Sequence, residues 1–246
     1  MIIGSKYLFF KNLPSTNSHA ASLIKENEVP EGAVITTNYQ SAGRGHGGNK
    51  WESEDGKNLL ISIVLFPSMI NPEDQFLLSM AVSLGICDFL ERYTSGISIK
   101  WPNDIYVNND KIAGILIESS IMGGSIENTI AGIGININQT KFLSNAPNPV
   151  SLANLTGKQY DLTVCLNQLT SDLDKRYRYL IDEGSDQIRR DYLDRLYRHN
   201  QWCKYQDING VFTGCLLNVT GTGRLNVEKE DGNVNEYGFK EIDFIL

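Results

Sequence analysis

Residues 39–51 read Tyr-Gln-Ser-Ala-Gly-Arg-Gly-His-Gly-Gly-Asn-Lys-Trp, a short segment with four glycines and two cationic side chains. Because glycine has no Cβ and accepts positive φ, such a segment can lay its backbone N–H groups against a ligand. Successive N–H groups form a concave anion-binding nest, and Arg44 can add a fork of charged donors. The alternative is a mobile surface loop without special function, which is the commoner role of glycine-rich segments.

Neither of two common phosphate-binding motifs fits this segment. Gly43, Gly45 and Gly48 have the spacing of the dinucleotide fingerprint, but that motif requires a helix directly after the glycines. Here an acidic run and the strand-like residues 58–66 follow instead. A P-loop requires Lys and then Ser or Thr after its last glycine, whereas Asn49 stands here. The segment is therefore predicted to be a loop between two strands that folds over an anionic and partly aromatic ligand.

Length and composition narrow the class of protein. A chain of 246 residues allows one large domain, or one domain with a small appendage. The net charge of −7 argues against broad affinity for nucleic acid or for anionic membranes. No apolar run approaches the roughly 20 residues of a membrane helix, and residues 1–6 lack the order of a signal peptide. The four cysteines form no Cys-x-x-Cys pair, so the sequence predicts a cytoplasmic protein with reduced thiols and no zinc site.

The apolar pattern of the rest of the chain predicts strands and helices in alternation. Strands are predicted at residues 6–13, 33–37, 58–66, 97–101, 105–107, 111–118 and 127–138. Helices are predicted after the capping residues 15–17, after the segment 71–74, and at residues 164–181 and 185–198. The charged faces of the last two helices are expected in solvent. Residues 58–66 are apolar on both faces, which predicts a central position in the sheet.

Turn residues place the candidate functional positions within this pattern. Asn108-Asn109-Asp110 predicts the tip of a hairpin, with Lys111 at the start of the returning strand. Gly123-Gly124 predicts the next turn, and residues 145–149 predict a loop. From about residue 204 onward, short strand-like runs separated by turn residues predict a small barrel.

Four blocks of the sequence, taken in order, resemble the motifs of the biotin protein ligases. The blocks are Gln40 with Gly43-Arg44-Gly45 and Trp51, then Lys100-Trp101-Pro102-Asn103-Asp104, then Lys111-x-x-Gly114-Ile115-Leu116-x-Glu118, and finally Gly132-x-Gly134-x-Asn136. Each block alone is weakly specific, whereas four in series at suitable spacing are specific. The likeness runs from about Leu13 to the C-terminus.

The resemblance implies a fold and a division into domains. The fold is α+β: a mixed β-sheet with helices packed on one face, as in the class II aminoacyl-tRNA-synthetase-like catalytic domain of biotin and lipoate ligases, plus a small C-terminal SH3-like β-barrel. Residues 1–203 would form the catalytic domain and residues 204–246 the barrel. We expect a monomer or a weak homodimer, since some relatives pair through exposed sheet edges.

The resemblance also implies an enzymatic activity with ATP and biotin as substrates and Mg²⁺ as the metal. Biotin would be activated as biotinyl-5′-AMP and then transferred to a lysine of a biotin carboxyl carrier protein domain. Two alternatives remain. A lipoate–protein ligase shares the fold and the adenylation chemistry, and a non-catalytic biotin-binding sensor would bind biotin without ATP turnover.

The resemblance assigns a set of residues to biotin. The biotin-binding residues are expected to be Ser15, Thr16, Asn17, Gln40, Gly43, Arg44, Gly45, His46, Lys111, Gly114, Gly132 and Gly134. Hydroxyl and amide side chains at positions 15–17 suit a ureido ring, because a buried polar group without a partner is costly. On their own, these three residues indicate only a helix N-cap. Glycine inside a strand, as at positions 132 and 134, often marks the close approach of a ligand or of another backbone.

A second set is assigned to the nucleotide and to catalysis. The adenylate-binding residues are expected to be Arg44, Trp51, Asn103, Lys111 and Asn136, and the catalytic residues Lys111, Arg44 and Asp104. Trp51 would stack on adenine, its alternative being an ordinary core Trp. A single Lys beside a turn is most often a solvated surface charge, but the apolar strand after Lys111 would hold it in a cleft. Mg²⁺ is expected to bind through phosphates rather than at a fixed protein site.

The sequence departs from the resembled family at two places. Many members carry arginine at position 46 and again at 47 or 49, where this chain has His46, Gly47 and Asn49. Because neutral His is a weaker anion clamp than Arg, we expect the adenylate to be held less tightly. Several members also begin with a winged-helix segment that binds DNA. Here the first motif begins at Ser15, so no DNA binding is expected.

Overall fold

The structure is a computed structural model of the chain, and it describes residues 1–144, 148–182 and 184–245. Residues 145–147, which belong to the loop predicted at 145–149, lie outside the described residues. Within the described ranges, no helix is both long enough and apolar enough to span a membrane.

A seven-stranded mixed sheet forms the body of the molecule. Its strands are β1 (Lys6–Leu13), β2 (Ala33–Gln40), β3 (Leu59–Leu65), β4 (Ile97–Lys100), β5 (Asp104–Val107), β6 (Asp110–Met122) and β7 (Ser125–Ile135). They lie in the order β1-β2-β3-β7-β6-β5-β4. The edge strand β1 runs parallel to β2, and every other neighbouring pair is antiparallel. This is the mixed sheet that the sequence predicted.

The strand predicted to be central is central. All seven residues of β3 are buried, and β3 lies between β2 and β7. The predicted hairpins also form: β6 begins at Asp110, directly after the turn at Asn108, and β6 and β7 are joined through Gly123 and Gly124. Both of these glycines have positive φ, 60° and 83°. Because only glycine enters that region without strain, the turn residues set the register of β6 against β7.

Helices cover both faces of the sheet, with three on one face. The helices are α1 (Thr16–Lys25), α2 (Phe76–Leu90), α3 (Leu152–Thr156), α4 (Leu162–Asp182) and α5 (Ser185–Asp194). Helix α2 packs on strands β4 to β6 and is itself covered by α4 and α5. Helix α1 packs on the opposite face. Successive side chains of a strand point to opposite faces: Val64 of β3 lies in a cluster with Ala20 and Leu23 of α1, whereas Ile63 lies in the larger core. The predicted fold class is confirmed. It differs in one respect from the prediction of helices on one face, since α1 packs on the other face.

Helix α5 is shorter than predicted. It ends at Asp194, whereas the apolar periodicity predicted a helix to residue 198. The chain turns aside because the edge strand β4 offers unpaired backbone groups: Ile99 N donates to Arg195 O at 2.8 Å, and Tyr197 N donates to Ile99 O at 2.9 Å. Backbone pairing with a sheet edge replaces the last helical turn.

The charged face of α4 is not simply solvated, contrary to the prediction. Asp174 is 6% exposed, and its Oδ1 accepts hydrogen bonds from Ile2 N at 2.6 Å and from Ile3 N at 2.9 Å. Asp172 is 2% exposed and pairs with the guanidinium of Arg92. A buried carboxylate requires such partners. These two residues therefore fasten the N-terminus and the end of α2 to α4.

The C-terminal region is a five-stranded antiparallel sheet, where the small barrel was predicted. Its strands are β8 (Trp202–Asp207), β9 (Gly210–Val219), β10 (Leu225–Lys229), β11 (Val234–Tyr237) and β12 (Asp243–Phe244), in the order β11-β10-β9-β8-β12. Its apolar residues share one buried core with α2. Trp101 Nε1 donates to Gly223 O at 2.9 Å, so this small sheet is held beside the turn that precedes Asp104.

Candidate functional site

A cleft of about 350 Å³ is lined by most of the site residues that were predicted from the sequence. It is bordered by the start of α1, the glycine loop (residues 43–51), strands β6 and β7, and the end of the C-terminal sheet. The nominated residues that line it are Ser15, Thr16, Asn17, Gln40, Arg44, Gly45, His46, Trp51, Asn103, Asp104, Lys111, Gly114, Gly132 and Gly134. Residues from five separate parts of the chain therefore meet at one site.

Two nominated residues lie apart from the lining of this cleft. Gly43 borders an adjoining opening of about 1230 Å³, which the glycine loop separates from the cleft. Asn136 is 3% exposed, and its Nδ2 donates to Val150 O at 3.1 Å. Its Oδ1 has no hydrogen-bond partner among the described residues. As placed here, Asn136 ties β7 to the segment before α3.

The floor of the cleft contains three glycines on two neighbouring strands, and two of them lie opposite each other. Gly114 of β6 and Gly134 of β7 are register partners. A Cβ on Gly134 would lie 2.4 Å from Cε2 of Trp51, and a Cβ on Gly114 would lie 2.8 Å from its Cζ3. The predicted close approach is therefore made by the indole of Trp51, which lies directly on the strand backbones.

The indole also presents an unsatisfied donor. Trp51 Nε1 is buried and has no hydrogen-bond partner among the described residues. Leaving such a donor unpaired costs about 1–3 kcal/mol. An acceptor on a bound molecule would remove that cost, so this group marks a place where a ligand can bind.

Asn17 is held rigidly at the third glycine of the floor. A Cβ on Gly132 would lie 2.2 Å from Asn17 Oδ1, so only glycine fits there. Asn17 Oδ1 accepts from Ser62 Oγ at 2.6 Å, and its Nδ2 donates to Leu116 O at 3.1 Å and to Glu118 Oε2 at 2.8 Å. These three bonds fix which end of the amide faces which neighbour.

The start of α1 is capped by another side chain than predicted. Ser15 occupies the N-cap position with an extended backbone, but its side chain makes no capping hydrogen bond. Gln40 Oε1 takes that role, accepting from Thr16 N at 2.8 Å and from Thr16 Oγ1 at 3.1 Å. The hydroxyl of Ser15 is therefore not used to cap the helix, although Ser15 lines the cleft.

Arg44 connects the glycine loop to strand β6. Its two terminal nitrogens donate to the two carboxylate oxygens of Glu118 at 2.9 and 2.6 Å, in a bidentate pair. Glu118 Oε2 also accepts from Asn17. A bidentate guanidinium–carboxylate pair is geometrically specific, so one carboxylate positions both the loop arginine and the Asn17 amide.

Lys111 stands where the hairpin predicted it, at the start of β6. Its Nζ lies 2.7 Å from Asp104 Oδ1, and both side chains are about one-quarter exposed, 24% and 21%. The backbone at this position is fixed on both sides, because Lys111 N donates to Asn148 O at 2.7 Å and its carbonyl accepts from Val150 N at 2.9 Å. Lys111 Nζ also lies 5.8 Å from the centroid of the Trp51 ring. The amine is therefore held over the floor of the cleft.

Lys100 is a further cation of the cleft. The sequence analysis named it only as part of a motif and predicted no function for it. It ends β4, and its Nζ donates to Tyr106 OH at 3.1 Å. Burial lowers the pKa of Lys100; Asp104 opposes that shift, and Lys111 adds to it. The positive charges of Lys100 and Lys111 are therefore close enough to act on each other.

The C-terminal sheet contributes to the cleft, which sequence reasoning missed. Phe239 and Lys240 line it, the Phe239 ring meets the His46 ring edge-to-face at 3.9 Å between centroids, and Lys240 Nζ donates to Gly47 O at 2.8 Å. Burial lowers the pKa of His46, Asp104 opposes the shift, and Lys240 adds to it. No local motif marks residues 239–240, since their partners in the loop lie 193 positions away in the sequence.

The described residues include no group of three His, Cys, Asp or Glu side chains that could hold a metal ion. Asp104 is the carboxylate closest to the cleft amine Lys111. Mg²⁺ keeps several waters and binds through one or two carboxylates together with substrate phosphates. The residues present therefore fit a Mg²⁺ ion that arrives with a nucleotide.

Comparison with known proteins is consistent with this geometry. The model of the biotin/lipoate A/B protein ligase family matches residues 9–136. The chain is 31% identical over 200 residues to the biotin–[acetyl-CoA-carboxylase] ligase of Paracoccus denitrificans, which covers 75% of this chain and 78% of that protein. It is 28% identical over 235 residues to the bifunctional ligase/repressor BirA of Bacillus subtilis, covering 92% of this chain and 71% of that protein.

The fold is shared with solved structures. The biotin protein ligase from Aquifex aeolicus, solved in complex with biotin and ATP, superposes with a TM-score of 0.79 at 24% identity, covering 97% of this chain and 98% of that one. The family match and the 31% identical relative together show the family to which the chain belongs. It belongs to the biotin/lipoate A/B protein ligase family and, within that family, to the biotin protein ligases.

Proposed function

We propose that this chain is an ATP-dependent biotin protein ligase, which forms biotinyl-5′-AMP and transfers the biotinyl group to a lysine of a biotin carboxyl carrier domain. One observation carries the proposal. The polar start of α1, the glycine floor, and the cations Lys111 and Arg44 all line a single cleft of about 350 Å³. That volume lies in the range of small-molecule pockets. The lining offers polar side chains at α1 and cations for an acidic group.

The biotin end of the cleft is proposed at α1. Ser15 and Thr16 supply hydroxyl groups there, and the fixed Asn17 amide forms the adjoining wall. A ureido ring carries both donors and acceptors, so polar side chains at this end remove the cost of burying it. The Trp51 indole and the glycine backbones of the floor give an apolar channel toward Lys111.

Lys111 is proposed to bind the carboxylate of biotin and the α-phosphate of ATP. In the first step a carboxylate oxygen forms a bond to the α-phosphorus, the bond from that phosphorus to the β-phosphate oxygen breaks, and pyrophosphate leaves. Two anions must approach each other, and fixed cations in a cleft that excludes water offset their repulsion. Arg44 supplies the second charge, and holding both reactants in near-attack geometry contributes up to about 7–11 kcal/mol.

The second step needs a neutral amine from the carrier. Its nitrogen attacks the carbonyl carbon of the mixed anhydride, the carbon–oxygen bond to phosphate breaks, AMP leaves, and the nitrogen loses a proton. Asp104 lies beside Lys111 at 2.7 Å and is proposed to position the incoming amine. When Lys111 turns to the ligand, the Asp104 carboxylate becomes available for that role.

Mg²⁺, bound to the phosphates, would neutralise part of the nucleotide charge. Asp104 is the residue that would provide a protein oxygen. Trp51 is proposed to stack on the adenine through the face of its ring. An acceptor of the ligand in the plane of the ring would pair its buried Nε1. Asn103 lines the same part of the cleft and is proposed to contact the nucleotide.

The experiment is incubation of the protein with labelled biotin, ATP, Mg²⁺ and a biotin carboxyl carrier domain. We expect label on the carrier with the wild-type chain, and a loss of about 100-fold or more with Lys111→Ala. The matched control is Lys158→Ala, because Lys158 is exposed and outside the cleft. Pyrophosphate exchange driven by lipoate instead of biotin would establish a lipoate ligase. Tight biotin binding without ATP turnover would establish a sensor.

A further inference from the structure

We propose that Lys240, in the segment between β11 and β12, is a phosphate-binding residue that holds the nucleotide phosphates beyond the α-phosphate. This inference rests on the proposed function, because it names a further residue for the ATP of that reaction. It would make the C-terminal sheet a part of the nucleotide site.

The first observation is where Lys240 lies. Lys240 lines the cleft, and its Nζ donates to Gly47 O in the glycine loop at 2.8 Å. Its neighbour Phe239 packs edge-to-face on His46. The segment thus crosses the border of the cleft and holds the amine against the loop.

The second observation is that the loop is shaped to admit this segment. A Cβ on Gly47 would lie 2.5 Å from Phe239 Cε1 and 2.8 Å from Lys240 Cε, so a side chain at position 47 would displace the lysine. Lys240 itself has a φ of 66°, a conformation that residues other than glycine rarely adopt. Such strained positions concentrate at functional sites, where the surroundings enforce them.

The third observation is the state of the other cleft cations; one of them, Lys50, also makes no ion pair within the described residues and is therefore tested separately. Arg44 is held by both oxygens of Glu118, Lys111 is paired with Asp104, and Lys100 is partly buried against Tyr106 OH. Lys240 has no carboxylate partner among the described residues. It contacts one carbonyl oxygen there, which leaves further N–H donors for an anion.

The fourth observation is the residue beside it. His46 stands where the resembled motif often has arginine, and burial lowers the pKa of His46, so its imidazole is neutral at neutral pH. The charges of Asp104 and Lys240 both act on this imidazole. Asp104 pairs with Lys111, and Lys240 makes no ion pair with it among the described residues. Lys240 thus places a cation beside His46, the position where the resembled motif often has arginine.

The test is calorimetric titration with a non-hydrolysable ATP analogue and Mg²⁺, and separately with AMP. Lys240→Met is expected to weaken binding of the ATP analogue about tenfold, the equivalent of about 1.4 kcal/mol, and to leave AMP binding unchanged. The matched control is Lys204→Met, on β8 outside the cleft. Lys50→Met tests the competing candidate, a second lysine of the cleft without an ion pair among the described residues.

A second variant tests whether a loss of affinity comes from the missing charge or from a disturbed fold. Adding His46→Arg to Lys240→Met is expected to restore affinity for the ATP analogue, because it returns a cation to the same place. Equal affinity of Lys240→Met and wild type for the ATP analogue would overturn the proposal, as would an equal loss for AMP, or a loss in Lys50→Met instead. Failure of the ligase function is recognised separately, by the absence of biotin-dependent pyrophosphate exchange in the wild-type chain.

Discussion

The cleft has two glycine-rich parts that use glycine for different physical reasons. In the floor, Gly114, Gly132 and Gly134 lie in regular strands, and each would place a Cβ within 3 Å of a Trp51 or Asn17 atom. In the loop, Gly48 has a φ of 87° and would meet nothing within 4 Å. The floor needs glycine for space, and Gly48 of the loop needs it for backbone conformation.

This difference decides what each region contributes. The floor lies in neighbouring strands, and the Trp51 indole packs directly on Gly114 and Gly134. The loop is exposed, and the contacts made by Arg44 and Lys240 hold it to the rest of the protein. We therefore expect the same substitution to damage catalysis in the floor and mainly stability at Gly48 of the loop.

The largest effect is expected for Gly134→Ala. The new methyl group would lie 2.4 Å from the indole, so the ring must move off the floor. A misplacement of about 1 Å can cost about 100-fold in rate, and we expect that loss in kcat/KM for biotin-dependent pyrophosphate exchange. Adding Trp51→Phe, which removes part of the colliding ring system, should recover some of the activity. A double variant no better than the single one would show that the collision is not the cause.

A smaller effect is expected where the floor and the loop are joined, at Glu118 and Arg44. Glu118→Gln removes the charge that holds Arg44 and should lower kcat/KM for exchange about tenfold, because the guanidinium is then less well positioned toward the ligand. Tenfold corresponds to about 1.4 kcal/mol of transition-state stabilisation. If Glu118 acts through Arg44, the double variant Glu118→Gln, Arg44→Met should be no worse than Arg44→Met alone.

The melting temperature separates positioning from simple structural support at this pair. Both side chains are more than one-third exposed, 43% and 38%, and exposed pairs contribute only about 0–1 kcal/mol to stability. We therefore expect an almost unchanged melting temperature for Glu118→Gln. Losses in kcat/KM that multiply in the double variant, or a large fall in melting temperature, would contradict the positioning role.

The smallest effect is expected for Gly48→Ala, the matched partner of Gly134→Ala. Its methyl group meets open space, but a φ of 87° is unfavourable for alanine, by about 1–2 kcal/mol. We expect the melting temperature to fall by a few degrees and kcat/KM to change little. A loss of activity as large as that of Gly134→Ala would remove the distinction between the two regions.

Much of the fold could be predicted because it depends on local patterns. Strand β3 was placed centrally from its apolar residues on both faces, and the hairpin carrying Lys111 from Asn108 and its neighbours. The cleft itself could be nominated because its residues occur in four short motifs. The nominations of Gly43 and Asn136 depend on ligand contacts, which stay predictions.

The remainder depends on contacts between distant parts of the chain. The end of α5 is decided by backbone bonds to β4, and Asp174 is buried by the N-terminal residues of the chain. Gly132 and Gly134 were recognised as points of close approach, but the sequence does not show that Asn17 and Trp51 make that approach. Lys240 reaches Gly47 through tertiary packing, so no pattern near either residue reveals it.

The most direct measurement is a crystal structure of the chain with a non-hydrolysable analogue of biotinyl-5′-AMP. We predict Lys111 Nζ within about 3 Å of a carboxyl or phosphate oxygen of the ligand, with the ureido end at Ser15 and Thr16. An analogue bound in the cleft while Lys111 Nζ stays on Asp104, out of hydrogen-bonding reach of the ligand, would contradict the proposed mechanism.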